Sequence, residues 1–346
     1  MTVPTGVALS LLDRSRTRAG EPDSAGVTGT VARAVAAERL GYDRFFVAEH
    51  HGVPGVASAA PAVLLAAIAG RTTTLRIGSA GVMLPHHQPL VVAEQFAMLS
   101  ALAPGRVDLG LGRSPGFTPP VRRALRSADG DDFAGDLAEL RAFLTGTAEV
   151  TVHPRPAAPV PMTVLATGRG LEVAAALGLP VVVGGPLLGV AGDPAPGLDA
   201  LARYRDGYRP SAQAPEPRVS ISLDVLVAGT DDEARDLLLP EAWAMARART
   251  EGTFPPLQPV TDIGSMTAIQ RRYVDQSTAA AVAGTADQVT ERLGALLERT
   301  GAAELIASSS TFDRAALAAS DAALAELFGR QPAAGRAPAS AVPSGA

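Results

Sequence analysis

No cysteine occurs among the 346 residues. That absence excludes a thiolate nucleophile, a CxxC redox pair, cysteine-ligated zinc and thiolate-held iron–sulfur clusters together. Lysine is missing as well, so all 30 basic residues are arginine, which removes Schiff-base chemistry of the lysine-aldolase or pyridoxal phosphate type. No run of roughly 18 apolar residues is present, and none of the length that spans a bilayer means no membrane segment is expected. The opening stretch MTVPTGVALSLLDRSR lacks a basic region followed by a long apolar stretch and a cleavage site, so a cytoplasmic location is expected. A net charge of -5 and a pI near 5.6 give no attraction to nucleic acid or to an anionic membrane surface. A small molecule is the expected partner.

What is present is ample core material: 47% of residues are hydrophobic and only 19% charged, in keeping with a large buried interior. Short β-branched or aliphatic runs alternate with longer alanine-rich amphipathic runs, the pattern of parallel strands joined by crossover helices. Eight strands are expected, at 6–11, 43–48, 75–81, 106–111, 162–166, 180–184, 219–227 and 304–308. Eight such units predict an α/β fold, a closed (β/α)8 TIM barrel. The competing doubly wound sheet calls for a GxGxxG turn after its first strand, where this chain reads SLLDRSRTRAG. Gly41 after Leu40, Pro61 and the Gly178-Leu179-Pro180 run mark helix limits. Residues 1–330 are expected to form a single barrel domain. The stretch 252–278, rich in proline, fits no simple strand–helix unit, and predicts an insertion at about 250–280 between the seventh and eighth strands. It reads either as a lid or as a surface excursion on the rim. The tail 331–346 is low-complexity and expected to be disordered.

Barrel enzymes carry their reacting groups at the C-terminal strand ends, and polar features concentrate at four of them. Glu49-His50-His51 follows the second strand, Ala80-Gly81 ends the third, Arg113-Ser114-Pro115-Gly116 follows the fourth and Thr167-Gly168-Arg169-Gly170 the fifth. A histidine facing the mouth can exchange protons near neutrality. Adjacent side chains on a strand point oppositely, so one of His50 and His51 faces the pocket while the other supports the helix layer. A purely structural pair is the competing reading. Metal ligation is not expected, because neither HxH nor HExxH occurs, and His86 and His87 read as a surface turn or pocket rim. Arg113 among glycines suits a bidentate phosphate grip. Thr167-Gly168-Arg169-Gly170 opens a helix whose free N–H groups and dipole favour an anion, although an ordinary helix cap explains it equally.

Taken together, Phe46-Val47-Ala48-Glu49-His50-His51, Ile77-Gly78-Ser79-Ala80-Gly81-Val82-Met83-Leu84-Pro85, Ala93-Glu94-Gln95 and the run from Gly105 through Arg113 to Gly116 resemble the bacterial luciferase-like, flavin-dependent monooxygenases in composition, order and spacing. Gly284-Thr285-Ala286-Asp287-Gln288-Val289 resembles the family's C-terminal pattern. The resemblance implies a barrel with an insertion and a flavin cofactor, reduced FMN or the deazaflavin F420, with the FMN branch the nearer. It implies that His50 and Glu49 are catalytic, His50 in acid–base work around the flavin and Glu49 in support with His51. It implies that Ala80-Gly81 form a non-proline cis peptide bulge under the flavin, and that Arg113, Pro115, Thr167, Gly168, Arg169 and Gly170 bind the cofactor. Gly170 departs from the Ser or Thr common there, and Arg169 is the expected compensation.

For activity, the resemblance implies a monooxygenase that combines reduced FMN with O2 through a flavin C4a-hydroperoxide. A separate NAD(P)H-dependent flavin reductase supplies the FMN. Hydroxylation or epoxidation of an aromatic polyketide or other secondary metabolite, as in antibiotic biosynthesis, is the implied outcome. An F420-dependent dehydrogenase and a non-catalytic flavin-binding protein are the alternatives. A homodimer is implied by the same resemblance.

Overall fold

The computed structural model describes residues 3–116, 118–126, 132–261 and 263–331. Ten strands and eleven α-helices alternate along it: β1 Ala8–Asp13, α1 Ser24–Leu40, β2 Arg44–Val47, α2 Pro61–Ala69, β3 Arg76–Met83, α3 Pro89–Leu102 and β4 Val107–Gly112. Then come α4 Pro119–Ala124, α5 Phe133–Thr145, β5 Met162–Leu165, α6 Arg169–Leu177, β6 Val181–Gly184, α7 Ala195–Asp206 and β7 Val219–Leu223. The chain continues with β8 Val225–Val227, α8 Asp231–Glu251, α9 Ala268–Ala279, β9 Val282–Gly284, α10 Ala286–Thr300, β10 Glu304–Ala307 and α11 Arg314–Leu327. Eight strands close into a parallel barrel in the order β1-β10-β7-β6-β5-β4-β3-β2, the (β/α)8 architecture.

These strands are buried on both faces, and so they read as near-continuous aliphatic runs rather than as alternation. Outward-facing residues such as Leu9, Leu11, Ile77, Leu109 and Ile221 are fully buried under the helices. Inside the barrel, Leu12, Phe46, Ala48, Ala80, Val182 and Ile306 form a separate small cluster. Below it the barrel is plugged by charge: Arg76 and Arg44 meet Asp108, at 2.7 and 3.3 Å, and Arg44 meets Glu304 at 3.1 Å. Glu304 also accepts from the hydroxyls of Ser10 and Ser220. Buried carboxylates need such partners, and this set leaves the opposite end of the barrel as the open one. No helix among the described residues is long and apolar enough to cross a membrane.

One sequence expectation needs correction. The expected strand 219–227 is two strands that part at Asp224: Val219–Leu223 belongs to the barrel, while Val225–Val227 pairs with Val282–Gly284 in a separate parallel sheet. The cause is polar. Asp224 accepts from Ser308 Oγ at 3.0 Å and meets Arg14 at 3.4 Å, and the Val225 N–H turns to Ser309 Oγ. The stretch 252–278, read as an insertion that fits no simple strand–helix unit, carries most of α9. Its Thr267 accepts from the Gln270 N–H while the Gln270 side chain accepts from the Thr267 N–H, a capping box legible as Thr-x-x-Gln. The tail beyond residue 331 lies outside the described residues.

Candidate active site

The four expected strand ends line one cavity of about 730 Å³ at the C-terminal mouth. Ala48, Glu49 and His50 come from the end of β2, Ala80, Gly81 and Met83 from β3, Gly112, Arg113 and Ser114 from β4, and Leu165, Ala166, Thr167, Arg169 and Gly170 from β5 and α6. Pro115 and Gly168 are not among its lining residues. The Ala80–Gly81 peptide bond is cis, and the β3–β4 pairing shifts register between Ser79 and Val82. Small side chains at 48, 80, 81 and 166 leave a flat, largely apolar floor.

Glu49 is the most constrained group there. Its side chain is fully buried, and one carboxylate oxygen accepts from His51 Nε2 at 2.6 Å and His87 Nε2 at 2.7 Å, while the other accepts the Met83 N–H at 2.9 Å. Burial alone would raise its pKa, but the hydrogen bonds and charge of His87, the His51 bond and the Met83 N–H together hold it below the ordinary value. His87 therefore does not merely occupy a rim, as its Leu84-Pro85-His86-His87 turn suggested. It reaches 38 residues back along the chain to a buried carboxylate. Beside it, His86 Nε2 donates to the Ser114 carbonyl at 2.9 Å, so the same turn ties the Glu49 side of the cavity to the loop carrying Arg113. The ligand-type atoms of Glu49, His51 and His87 lie within 4.8 Å of one another, a grouping that HxH spacing cannot reveal because His87 arrives from another strand end. Direct hydrogen bonds join Glu49 to both histidines.

His50 lines the cavity, while His51 turns to the cavity-lining Glu49 rather than to the helix layer; both lie beyond the end of β2, where strand alternation does not apply. The His50 N–H is fixed by the Ser58 carbonyl at 2.8 Å. Burial, then the positive charges of Arg14 and Arg16, push its pKa down to about 4. His50 is thus held as a neutral imidazole at neutral pH. The charges come from a group that sequence reading missed. Arg16, 3% exposed, donates to Glu241 of α8 at 2.7 Å and to the carbonyls of Gly55 and Pro255, and its guanidinium lies 4.2 Å from the centre of the Phe254 ring. Backbone bonds from Ala19 to Leu257 and from Leu257 to Thr17 complete the strap. The stretch after α8 is therefore fastened over the β1 end as a roof.

At the other end of the cavity, Arg113, Thr167 and Arg169 are exposed. Gly168 caps α6 with φ +52°, a left-handed conformation that glycine adopts at no steric cost. The N–H groups of Gly170 and Leu171 turn to the Thr167 and Gly168 carbonyls, so fewer backbone donors face the cavity than the helix start suggested. The two arginines and the Thr167 hydroxyl are the groups that could hold a phosphate-bearing cofactor. Asp132, Phe133 and Ala134 at the start of α5, with Glu172 and Val173 of α6, complete the lining. They were missed because nothing in an irregular stretch announces that it folds over a distant strand end. Asp132 carried a signal, since it caps α5 by accepting from the Gly135 N–H.

A parallel barrel with a shielded imidazole and an arginine-rich anion end at its open mouth defines an (β/α)8 enzyme that handles a small molecule. The comparisons name the group. A family model described as luciferase-like monooxygenase matches residues 7–304, and the chain belongs to that family. It is 34% identical over 323 residues to a luciferase-like monooxygenase of Escherichia coli K12, covering 90% of this chain and 93% of that one. The crystal structure of apo-MsnO8 superposes with a TM-score of 0.82 at 31% identity, covering 94% of this chain and 99% of the other. Over a shorter stretch of 110 residues, 32% of this chain and 33% of the relative, it is 50% identical to an N-acetyl-S-alkylcysteine monooxygenase of Bacillus subtilis.

Proposed function

We propose that the protein is the oxygenating component of a two-component monooxygenase, using reduced FMN and dioxygen to place one oxygen atom on an organic substrate. The observation that carries this is the meeting, in one cavity of about 730 Å³, of the neutral His50 imidazole, a small-residue floor and an arginine-lined end. These residues fit FMN: Arg113, Arg169 and Thr167 would hold its phosphate, and Ala48, Ala80, Gly81 and Ala166 would bed its ring system. When bound, reduced FMN supplies the two electrons that activate dioxygen. The chain's own residues do the rest. His50 accepts and returns a proton at its imidazole, Glu49 fixes the strand end from which His50 projects, and the apolar floor excludes water from the reacting centre.

A separate NAD(P)H-dependent reductase is the proposed source of reduced FMN, and the cytoplasm the proposed location. A homodimer is proposed too, supported by exposed apolar side chains on neighbouring helices, Val63 on α2 with Val91, Met98 and Leu102 on α3. For the substrate, hydroxylation or epoxidation of an aromatic polyketide or similar secondary metabolite is the first reading. The segment shared with the N-acetyl-S-alkylcysteine monooxygenase makes a thioether the second class to try. The test is titration of the protein with FMN, FAD and F420, followed by oxygen uptake with reduced FMN and isotope-labelled dioxygen. Preferred FMN binding and one labelled atom in the product are expected. Anaerobic hydride transfer with F420 and no response to FMN would overturn the proposal, and FMN binding without oxygen transfer would leave a flavin-binding protein.

A further inference from the structure

A second hollow of about 310 Å³ lies on the outside of the barrel, between α1 and α11, and shares no lining residue with the His50 cavity. The two helices run side by side in the same direction, since Arg314 at the start of α11 reaches the Ala25 carbonyl and Asp321 further on pairs with Arg33. Both N-termini therefore lie at the same end of the slot. Away from that end its walls are small or aliphatic: Ala32, Ala36 and Leu40 on α1, Leu317 and Ala318 on α11.

Four arginines line it, Arg16, Arg18, Arg33 and Arg314. Arg16 is matched by Glu241, Arg33 by Asp13 and Asp321, and Arg314 by Glu21. Arg18 alone has no carboxylate partner among the described residues. It is 5% exposed, and its guanidinium is held only by carbonyls, those of Phe312 at 2.8 Å, Thr311 at 2.7 Å and Arg16 at 3.3 Å. Three carbonyls occupy three of the five N–H groups of an arginine and supply no compensating charge. Burial, with repulsion from Arg314, outweighs the attraction of the more distant Glu21 and Asp13 and pushes the Arg18 pKa down to about 10, still far above neutrality. A buried cation with no carboxylate in contact is costly, and an anion arriving in the slot relieves that cost.

We infer that this slot binds a small amphiphilic carboxylate, its charged head at Arg18 and Arg314 and its apolar body along the aliphatic faces of α1 and α11. The positive ends of both helices favour the same head group. The volume lies at the small end of ligand pockets, which selects a compact body. Because Arg18 is two residues from Arg16, which touches Pro255 of the roof, such a ligand would also stiffen the loop that shapes the field at His50.

The experiment is isothermal titration of the full chain at neutral pH with 4-phenylbutyrate, with 4-phenylbutanol and sulfate as parallel arms. Saturable binding of 4-phenylbutyrate is expected, weaker by about tenfold or more in Arg18→Met and in Ala32→Trp, the scale of one charge-assisted contact. Ala32 is exposed, so Ala32→Trp fills the slot without touching the buried cation and decides the matter should Arg18→Met fail to fold. Equal affinity for 4-phenylbutanol, or binding insensitive to both substitutions, overturns the inference. So does displacement by FMN, which would place the probe in the His50 cavity. Sulfate binding as tightly as 4-phenylbutyrate overturns the amphiphile and leaves a bare anion site, and no binding of 4-phenylbutyrate to the unaltered chain overturns the site.

Discussion

Arg16 and Arg113 each follow a barrel strand by a few residues, yet they live in opposite surroundings. Arg16 is buried against Glu241, Phe254 and the carbonyls of Gly55 and Pro255, whereas Arg113 lies exposed at the cavity end. The same contrast runs through their neighbours. Over β1 the mouth is roofed and its charges are spent on one another, and over β4 and β5 the charges face outward. A half whose cations are already matched serves as fixed wall and field. A half whose arginines lie exposed at the cavity end is the one placed to meet a ligand arriving from solvent.

The contrast can be broken from the wall side first. Arg16→Ala leaves Glu241 buried beside Arg14 alone, and a loss of about 3–5 kcal/mol in unfolding free energy is expected, read by denaturant unfolding without flavin. Arg113→Ala should behave oppositely. Stability without flavin stays unchanged while FMN affinity falls by about tenfold to a hundredfold, as for a lost charge-assisted contact of about 1.5–3 kcal/mol. Unaltered FMN affinity would remove Arg113 from the cofactor end.

The field of the wall can be read through pH. With His50 at about 4 in the folded chain and the ordinary histidine value of about 6.5 unfolded, the unfolded chain binds the extra proton between those limits. Stability therefore rises with pH across that window, by up to about 1.4 kcal/mol per unit, and the contribution is level above it. Subtracting the pH–stability curve of His50→Gln isolates the slope. Arg16→Ala should move its lower limit upward, toward 6.5, since Arg16 is one of the charges that depress His50. The smallest expected change is Gly170→Ser on the open side. A Cβ at 170 would meet the Ala166 Cβ at 3.3 Å, close enough to need a slight shift. The added hydroxyl should tighten FMN by only a few-fold, about 0.5–1 kcal/mol, measured by fluorescence titration. Weaker binding would mean that position 170 does not face the phosphate.

Much of this was legible in the amino-acid sequence, for reasons that also explain what was not. Doubly buried strands announce themselves as aliphatic runs, so all eight barrel strands could be placed, and glycines marked several helix ends. A single aspartate inside such a run looks like any polar interruption. Only the folded chain reveals that Asp224 turns to Ser308 and Arg14 and ends a strand, and β9, at three residues, is too short to show a period. Motif spacing likewise brought His50, Ala80, Arg113 and Thr167 to one mouth. Partnerships between distant segments left no local trace: His87 with Glu49, Arg16 with Glu241. Glu241 sits in a helix as an ordinary helix-forming residue would, and its burial follows from what α8 covers.

The ring closes between β1 and β10, with Ala8 beside Glu304 and Leu11 beside Ala307, and β10 also supplies the second neighbour of β7. During synthesis the first strand must therefore wait for nearly the whole chain before its open edge is covered. A chain that stops short of Glu304 exposes two bare strand edges, each a template for another molecule. Truncation at this end is thus a matter of self-association as much as of lost stability, and the last strand acts as the clasp of the barrel.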